Sequence, residues 1–163
     1  MSKKNDNIEK KKTSNSASET VEISEVSIIS HSGEPIESII SDGFLRIQFS
    51  LKVNTEITKP EIVVGTHTTD FVYLTASTTE LTKSPLQKLT VGEHRITLEH
   101  KSYPLKPGVY GIRISIFDQN RNNLYSAENL HFFTVTKSSD ESKEPALRLL
   151  SIESNWSINN QSI

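Results

Sequence analysis

Hydrophobic and polar positions alternate along most of this chain, and the alternation predicts strands. The plainest case lies between Leu105 and Asp118, where Pro107-Gly108 opens a run in which Tyr110, Ile112, Ile114 and Ile116 alternate with small or polar residues. Proline presets a turn and glycine accepts positive φ at no steric cost. The period of two that follows buries one face of a sheet and leaves the other to solvent. Residues 44–53 read the same way. Leu45, Ile47, Phe49, Leu51 and Val53 fall on one face, and Arg46, Gln48, Ser50 and Lys52 on the other.

Further strands are expected over 21–30, 61–67, 94–100 with Ile96 and Leu98 inward, and 124–135 with Phe133 and Val135 inward. Gly65 marks a bulge or a close packing contact. Residues 36–40 form a short strand or an edge segment. Residues 70–75 form a strand with either Val72 and Leu74 or Phe71 and Tyr73 inward. Turn chemistry separates these pieces at 31–35, 41–43 and 118–123. The Thr-rich run 76–91 reads as a long loop. Helical periodicity is confined to 145–153. Seven or more short strands at intervals of about a dozen residues predict an all-β antiparallel sandwich.

Composition adds boundaries. The chain has 163 residues, enough for one domain. Only 34% of its residues are hydrophobic against 23% charged, which makes the chain more polar than a compact globule, and the excess polarity sits at the ends. Residues 1–20 hold five lysines and no strand pattern, and are expected to be a disordered tail or linker. Residues 21–135 form the sandwich domain. Residues 136–163 form a polar linker and tail. Without cysteine there is no disulfide and no thiolate metal site. No apolar run approaches the roughly 20 residues that span a bilayer, and the basic N-terminus lacks a signal-peptide apolar core. A cytoplasmic protein without membrane insertion is expected. The net charge of −2 argues against a nucleic-acid partner.

The order of the strands and turns carries a resemblance. Val21-Glu22-Ile23-Ser24-Glu25-Val26-Ser27-Ile28 precedes a Gly turn; Ser41-Asp42-Gly43-Phe44-Leu45-Arg46-Ile47 opens the long second strand. Pro60-Glu61-Ile62-Val63-Val64, then Leu105-Lys106-Pro107-Gly108-Val109-Tyr110, then Phe133-Thr134-Val135 follow in sequence. As an ordered set these resemble the C-terminal carbohydrate-binding domain of Wzt-type ABC transporters, which handle O-antigen polysaccharide. The resemblance implies an immunoglobulin-like β-sandwich, often dimeric, that binds an exported glycan on a sheet face. It implies as partners a bacterial polysaccharide, a second copy of the chain and ABC-transporter subunits, at the inner face of the inner membrane. The family's nucleotide-binding domain has no counterpart in this sequence: no G-x-x-x-x-G-K-[ST] loop occurs. The chain is then either a separated domain or a stand-alone relative.

Sugar binding needs forked hydrogen-bonding side chains beside an apolar surface. The outward positions offer Arg46, Gln48, Ser50 and Lys52 on one strand, Arg113 and Ser115 on another, and Phe132 and Thr134 on the last. The plainer reading is a solvated strand face. His31, His67, His94, His100 and His131 show no metal-ligand spacing, and Asp118 with its asparagines reads as a hairpin turn rather than a calcium loop. No cofactor and no catalysis are expected, since no nucleophile–base pair or G-x-S-x-G is present. In the tail, Leu149, Leu150, Ile152 and Trp156 are candidates for docking on this sandwich or on a second copy. An immunoglobulin-like adaptor with a protein ligand is the alternative to a glycan-binding module.

Overall fold

Thirteen strands are seen in the computed structural model, which describes residues 19–139, 149–150, 157–158 and 161–162. Strands β1 (Val21–Ile29), β2 (Pro35–Ile36), β4 (Leu45–Val53) and β9 (Gly92–His100) form an antiparallel sheet in the order β2-β1-β4-β9. A second sheet runs β3-β11-β10-β6-β7, from β3 (Ser38–Ile40), β11 (Asn123–Thr136), β10 (Gly108–Phe117), β6 (Glu61–Thr68) and β7 (Tyr73–Thr78). All its pairings are antiparallel except β3 with β11. Two short ladders complete the set: β5 (Ile57–Thr58) with β8 (Lys88–Leu89), and β12 (Ser157–Ile158) with β13 (Gln161–Ser162).

The core lies between the two large sheets and follows the sequence pattern. Leu45, Ile47, Phe49, Leu51 and Val53 face Tyr110, Ile112, Ile114, Ile116, Phe133 and Val135 across it, all essentially without solvent contact. Each such side chain contributes about 1.5–3 kcal/mol by leaving water. The turn ahead of β10 is tied down by polar contacts. The Tyr110 hydroxyl donates to the Lys106 carbonyl at 2.6 Å, and the buried Lys106 ammonium reaches the Asp42 carboxylate at 2.8 Å. Ser41 Oγ donates to the Leu105 carbonyl at 3.0 Å, so the turn before β4 and the loop before β10 hold each other.

Four segments differ from what alternation predicts, each for a local reason. In β1 one extra residue is inserted between Ser24 and Ser27, with Glu25 at a φ of 54°. That bulge shifts the inward phase from Val21 and Ile23 to Ile28. Residues 36–40 resolve into two edge strands, with β2 in one sheet and β3 in the other. The 70–75 strand starts only at Tyr73, because Phe71 takes a left-handed turn (φ 61°). Neither inward pair is realised whole: Leu74 packs against the core, whereas Phe71, Val72 and Tyr73 are about half exposed. Residues 76–91 are no uniform loop. Ala76 to Thr78 finish β7, a 3-10 turn follows at Thr79–Leu81, and β8 closes the run. Threonine is a good strand former, and the Thr66 and Thr75 hydroxyls bond each other at 2.8 Å across β6 and β7.

The tail of the fold is seen at two residues. Lys106 N–H donates to the Leu149 carbonyl at 3.0 Å, and Leu105 bridges antiparallel to Leu150. Leu150 packs against the core and Leu149 is half exposed. The helical periodicity expected over 145–153 is therefore an extended bridge at these two positions, and the rest of that segment lies outside the described residues. Most of the tail expected over 1–20 also lies outside them. Leu150→Ala is expected to lower stability by about 1–2 kcal/mol, the worth of one partly buried leucine side chain. A urea midpoint unchanged by the substitution would show that Leu150 adds nothing to the fold.

Burial raises the phenol pKa of Tyr103, Tyr110 and Tyr125. At Tyr103 hydrogen bonds with Thr66 and Thr75 oppose that rise without cancelling it. A raised folded pKa makes the stability it carries complete below the ordinary value of 10.0 and lost as pH climbs above it. The domain is expected to weaken steeply above that pH, and Tyr103→Phe to flatten the decline. Urea titrations on either side of pH 10.0 test this; an unaltered decline in Tyr103→Phe would assign the effect elsewhere.

Candidate functional site

The parity that sends Tyr110, Ile112, Ile114 and Ile116 inward sends Val109, Gly111, Arg113, Ser115 and Phe117 to the outer face of the five-stranded sheet. Register then fixes their neighbours. Gly111 sits between His67 on β6 and Phe132 on β11, His67 pairs with Tyr73 on β7, and Arg113 pairs with Gly65. An aromatic cluster results.

His67 is at its centre and has no solvent contact. A Cβ on Gly111 would lie 2.4 Å from its Cε1 and 2.6 Å from its Nε2, so the imidazole rests directly on the Gly111 backbone. No other residue permits that approach. The Phe71 ring stacks on the imidazole at 5.5 Å and 10°, while Tyr73 and Phe132 meet it edge-on at 6.2 and 6.5 Å. His67 Nδ1 lies 2.7 Å from the Thr68 carbonyl, which accepts only if this nitrogen carries the proton. Nε2 is then a buried acceptor, and it has no partner among the described residues.

The rim of the cluster combines half-exposed rings with forked polar groups. Phe71, Tyr73, Val109 and Phe132 are 43–52% exposed. The turn carrying Phe71 is closed by Phe71 N–H to the Thr68 carbonyl and Thr68 N–H to the Val72 carbonyl, both 3.0 Å. The Arg113 guanidinium lies 4.2 Å over the Tyr73 ring, a cation–π contact that holds the fork at the surface. The Tyr73 hydroxyl donates to Glu128, and that hydrogen bond raises the Tyr73 pKa. Ring faces for the apolar faces of a sugar, with a guanidinium and a carboxylate for its hydroxyls, are what a polyhydroxylated ligand needs.

The sequence candidates divide between the two faces of the sandwich. Arg113, Ser115, Phe132 and Thr134 share the outer face of the five-stranded sheet, where Ser115 and Ser126 bond at 3.0 Å. Arg46, Gln48 and Lys52 lie on the outer face of the other sheet and are engaged with neighbours. Arg46 forms a two-pronged contact with Glu99 at 2.8 and 3.0 Å and donates to the Ser30 carbonyl. Gln48 donates to Thr97 and accepts from Arg95, and Lys52 pairs with Glu22 at 3.0 Å. A shallow cavity of about 230 Å³ on this face is lined by Glu25, Gln48, Ser50 and Arg95. Leu149 and Leu150 dock as described above; Ile152 and Trp156 lie outside the described side chains. Sequence reasoning missed His67, Phe71, Tyr73, Gly111 and Glu128. The signal was available in His67 and Phe132, which fall out of phase with the inward residues of their strands.

Asp118 caps the β10–β11 turn as expected of a hairpin. Its Oδ1 accepts from the Asn120 and Asn122 amides at 2.8 and 2.9 Å, and its Oδ2 from the Asn122 side chain at 2.8 Å. The side-chain bond from Asn122 does most to hold its pKa below the ordinary value. No group of three His, Cys, Asp or Glu among the described residues could hold a metal ion, and no helix among them is long and apolar enough to cross a membrane.

Two layers of mainly antiparallel strands, with a segment that passes from an edge of one sheet (β2) to an edge of the other (β3), define an immunoglobulin-like β-sandwich. Within that class the chain belongs to the Wzt C-terminal domain family, whose model matches residues 12–147, a non-catalytic family. The crystal structure of the C-terminal domain of Wzt superposes with a TM-score of 0.67 at 12% identity, covering 85% of this chain and 84% of that one. A Niemann-Pick type C2 protein from Japanese carpenter ant gives a TM-score of 0.49 at 13% identity, covering 76% of this chain and 98% of that one. No match is found among curated proteins.

The His67–Gly111 contact is directly testable. Gly111→Ala is expected to cost about 1–3 kcal/mol by forcing the imidazole off the sheet. In a His67→Ala background the same change should cost little, since the colliding ring is gone. Equal penalties in both backgrounds would mean that the glycine answers to something other than His67.

Proposed function

We propose that this chain is a non-catalytic module that binds a bacterial surface polysaccharide of O-antigen type for export by an ABC transporter. Family membership supplies the transport setting. The observation that carries the reading is the cluster of Phe71, Tyr73 and Phe132 around His67, with Arg113 over Tyr73. Contiguous half-exposed rings mark an interaction surface, and a sugar ring stacks on such rings. Pyranose rings carry C–H groups on one face that stack on aromatic rings, and their hydroxyls reward a guanidinium fork and a carboxylate. On this reading Arg113, Phe132, Ser115 and Thr134 serve the site, joined by Tyr73, Phe71 and Glu128. The partners are the polysaccharide and transporter subunits at the cytoplasmic face of the membrane.

Titration calorimetry with the surface polysaccharide of the strain that carries this gene tests the proposal. Tyr73→Ala, Phe132→Ala and Arg113→Ala are each expected to weaken binding about tenfold or more, because they remove central anchors. Arg46→Ala, on the opposite face, should change it by less than about twofold. Absence of binding, together with a protein that co-purifies through the same face, would replace this reading with that of a protein-binding adaptor.

A further inference from the structure

The outer face of the five-stranded sheet continues well past the aromatic cluster. Eight residues beyond Val109 along β10, about 27 Å at the ordinary strand rise, Phe117 faces the same way and pairs with Glu61 on β6. Between the two ends the register brings small side chains together. Gly65 pairs with Ala76 beside Arg113, and Ser115 pairs with Ser126. At the far end a cavity of about 360 Å³ opens, lined among others by Pro60, Glu61, Glu80, Leu86, Gln87 and Arg121.

The far cavity is built on a buried group. Glu61 is 9% exposed, and its two oxygens do different things. One accepts from Thr78 Oγ1 at 2.7 Å; the other holds the Arg121 guanidinium. That guanidinium also reaches Glu80 at 3.5 Å and lies 5.2 Å over the Phe117 ring. Arg121 itself stands in a left-handed turn residue, φ 63°, that projects it to the rim. The cavity thus offers a fixed guanidinium, carboxylates and an amide around the apolar surfaces of Pro60 and Leu86. Its volume suits one or two sugar rings.

We propose that this cavity is a second subsite for the same polysaccharide, so that the domain takes a stretch of several consecutive sugars laid along β10. The proposal rests on the glycan-binding reading of the aromatic cluster. The ligand enters the far cavity with its hydroxyls donating to Glu61 and Glu80 and accepting from Arg121, and crosses the small-residue row between the two ends.

The test uses the full chain and fragments of the source strain's surface polysaccharide, cut by mild acid and separated by length. Affinity is expected to climb with fragment length until both ends of β10 are spanned, and then to level off. Arg121→Ala and Glu80→Ala should weaken the longest fragments roughly tenfold and leave the shortest bound fragments unchanged. Glu80 is 65% exposed, so its variant guards against a misfolded Arg121→Ala. Tyr73→Ala should weaken every fragment. Affinity independent of length, or variants that affect short and long fragments alike, would overturn the second subsite and leave the aromatic site standing. No binding by any fragment would overturn both.

Discussion

Strand β10 is paired on both sides along nearly its whole length, and the parity of its side chains is the constraint on which the molecule depends. Its backbone groups have partners in β6 and β11, so it cannot slip without breaking two ladders. A shift by one residue would send Tyr110, Ile112, Ile114 and Ile116 to solvent and drive Arg113 into the core. The Tyr110 hydroxyl and the Lys106–Asp42 pair fix where the strand begins. One decision about register therefore sets the core on one side and the aromatic cluster on the other.

The two outer faces use polar chemistry in opposite ways. On the four-stranded sheet polar groups answer each other: Arg46 pairs with Glu99 and Lys52 with Glu22, and the Ser50 hydroxyl donates to Glu25. Such exposed pairs are worth little individually and leave little unsatisfied. On the five-stranded sheet the rings are half exposed and Arg113 lies over an aromatic face rather than against a carboxylate. Phe71 is held there by a left-handed backbone that costs about 1–3 kcal/mol for a bulky residue. The fold sustains that strain because the hairpin turn it completes is bonded at both ends.

Period-two patterning made the core legible almost residue by residue, in β4 and β10 above all. It failed where the chain inserts a residue without announcing it. The Glu25 bulge is a change of phase between Ile23 and Ile28 that reads, in the sequence, as a run that merely continues. The site was half legible for a related reason. Arg113 and Phe132 are outward by parity, but parity does not say which outward strands lie side by side. The residues read from β4 and those read from β10 and β11 turned out to be separated by the whole thickness of the core. His67 was half hidden: parity places it outward, but the pattern has only an inside and an outside and does not record that rings on the outer face seal it from solvent.

The bridge between Leu105 and Leu150 has a mechanical consequence. Among the described residues this pair, beside the Lys106–Leu149 hydrogen bond, lies just ahead of β10, whereas β10 itself is held by long ladders on both sides. Tension applied at Leu150 would open this small contact before any ladder is sheared, and the sheet that bears the aromatic cluster would keep its shape.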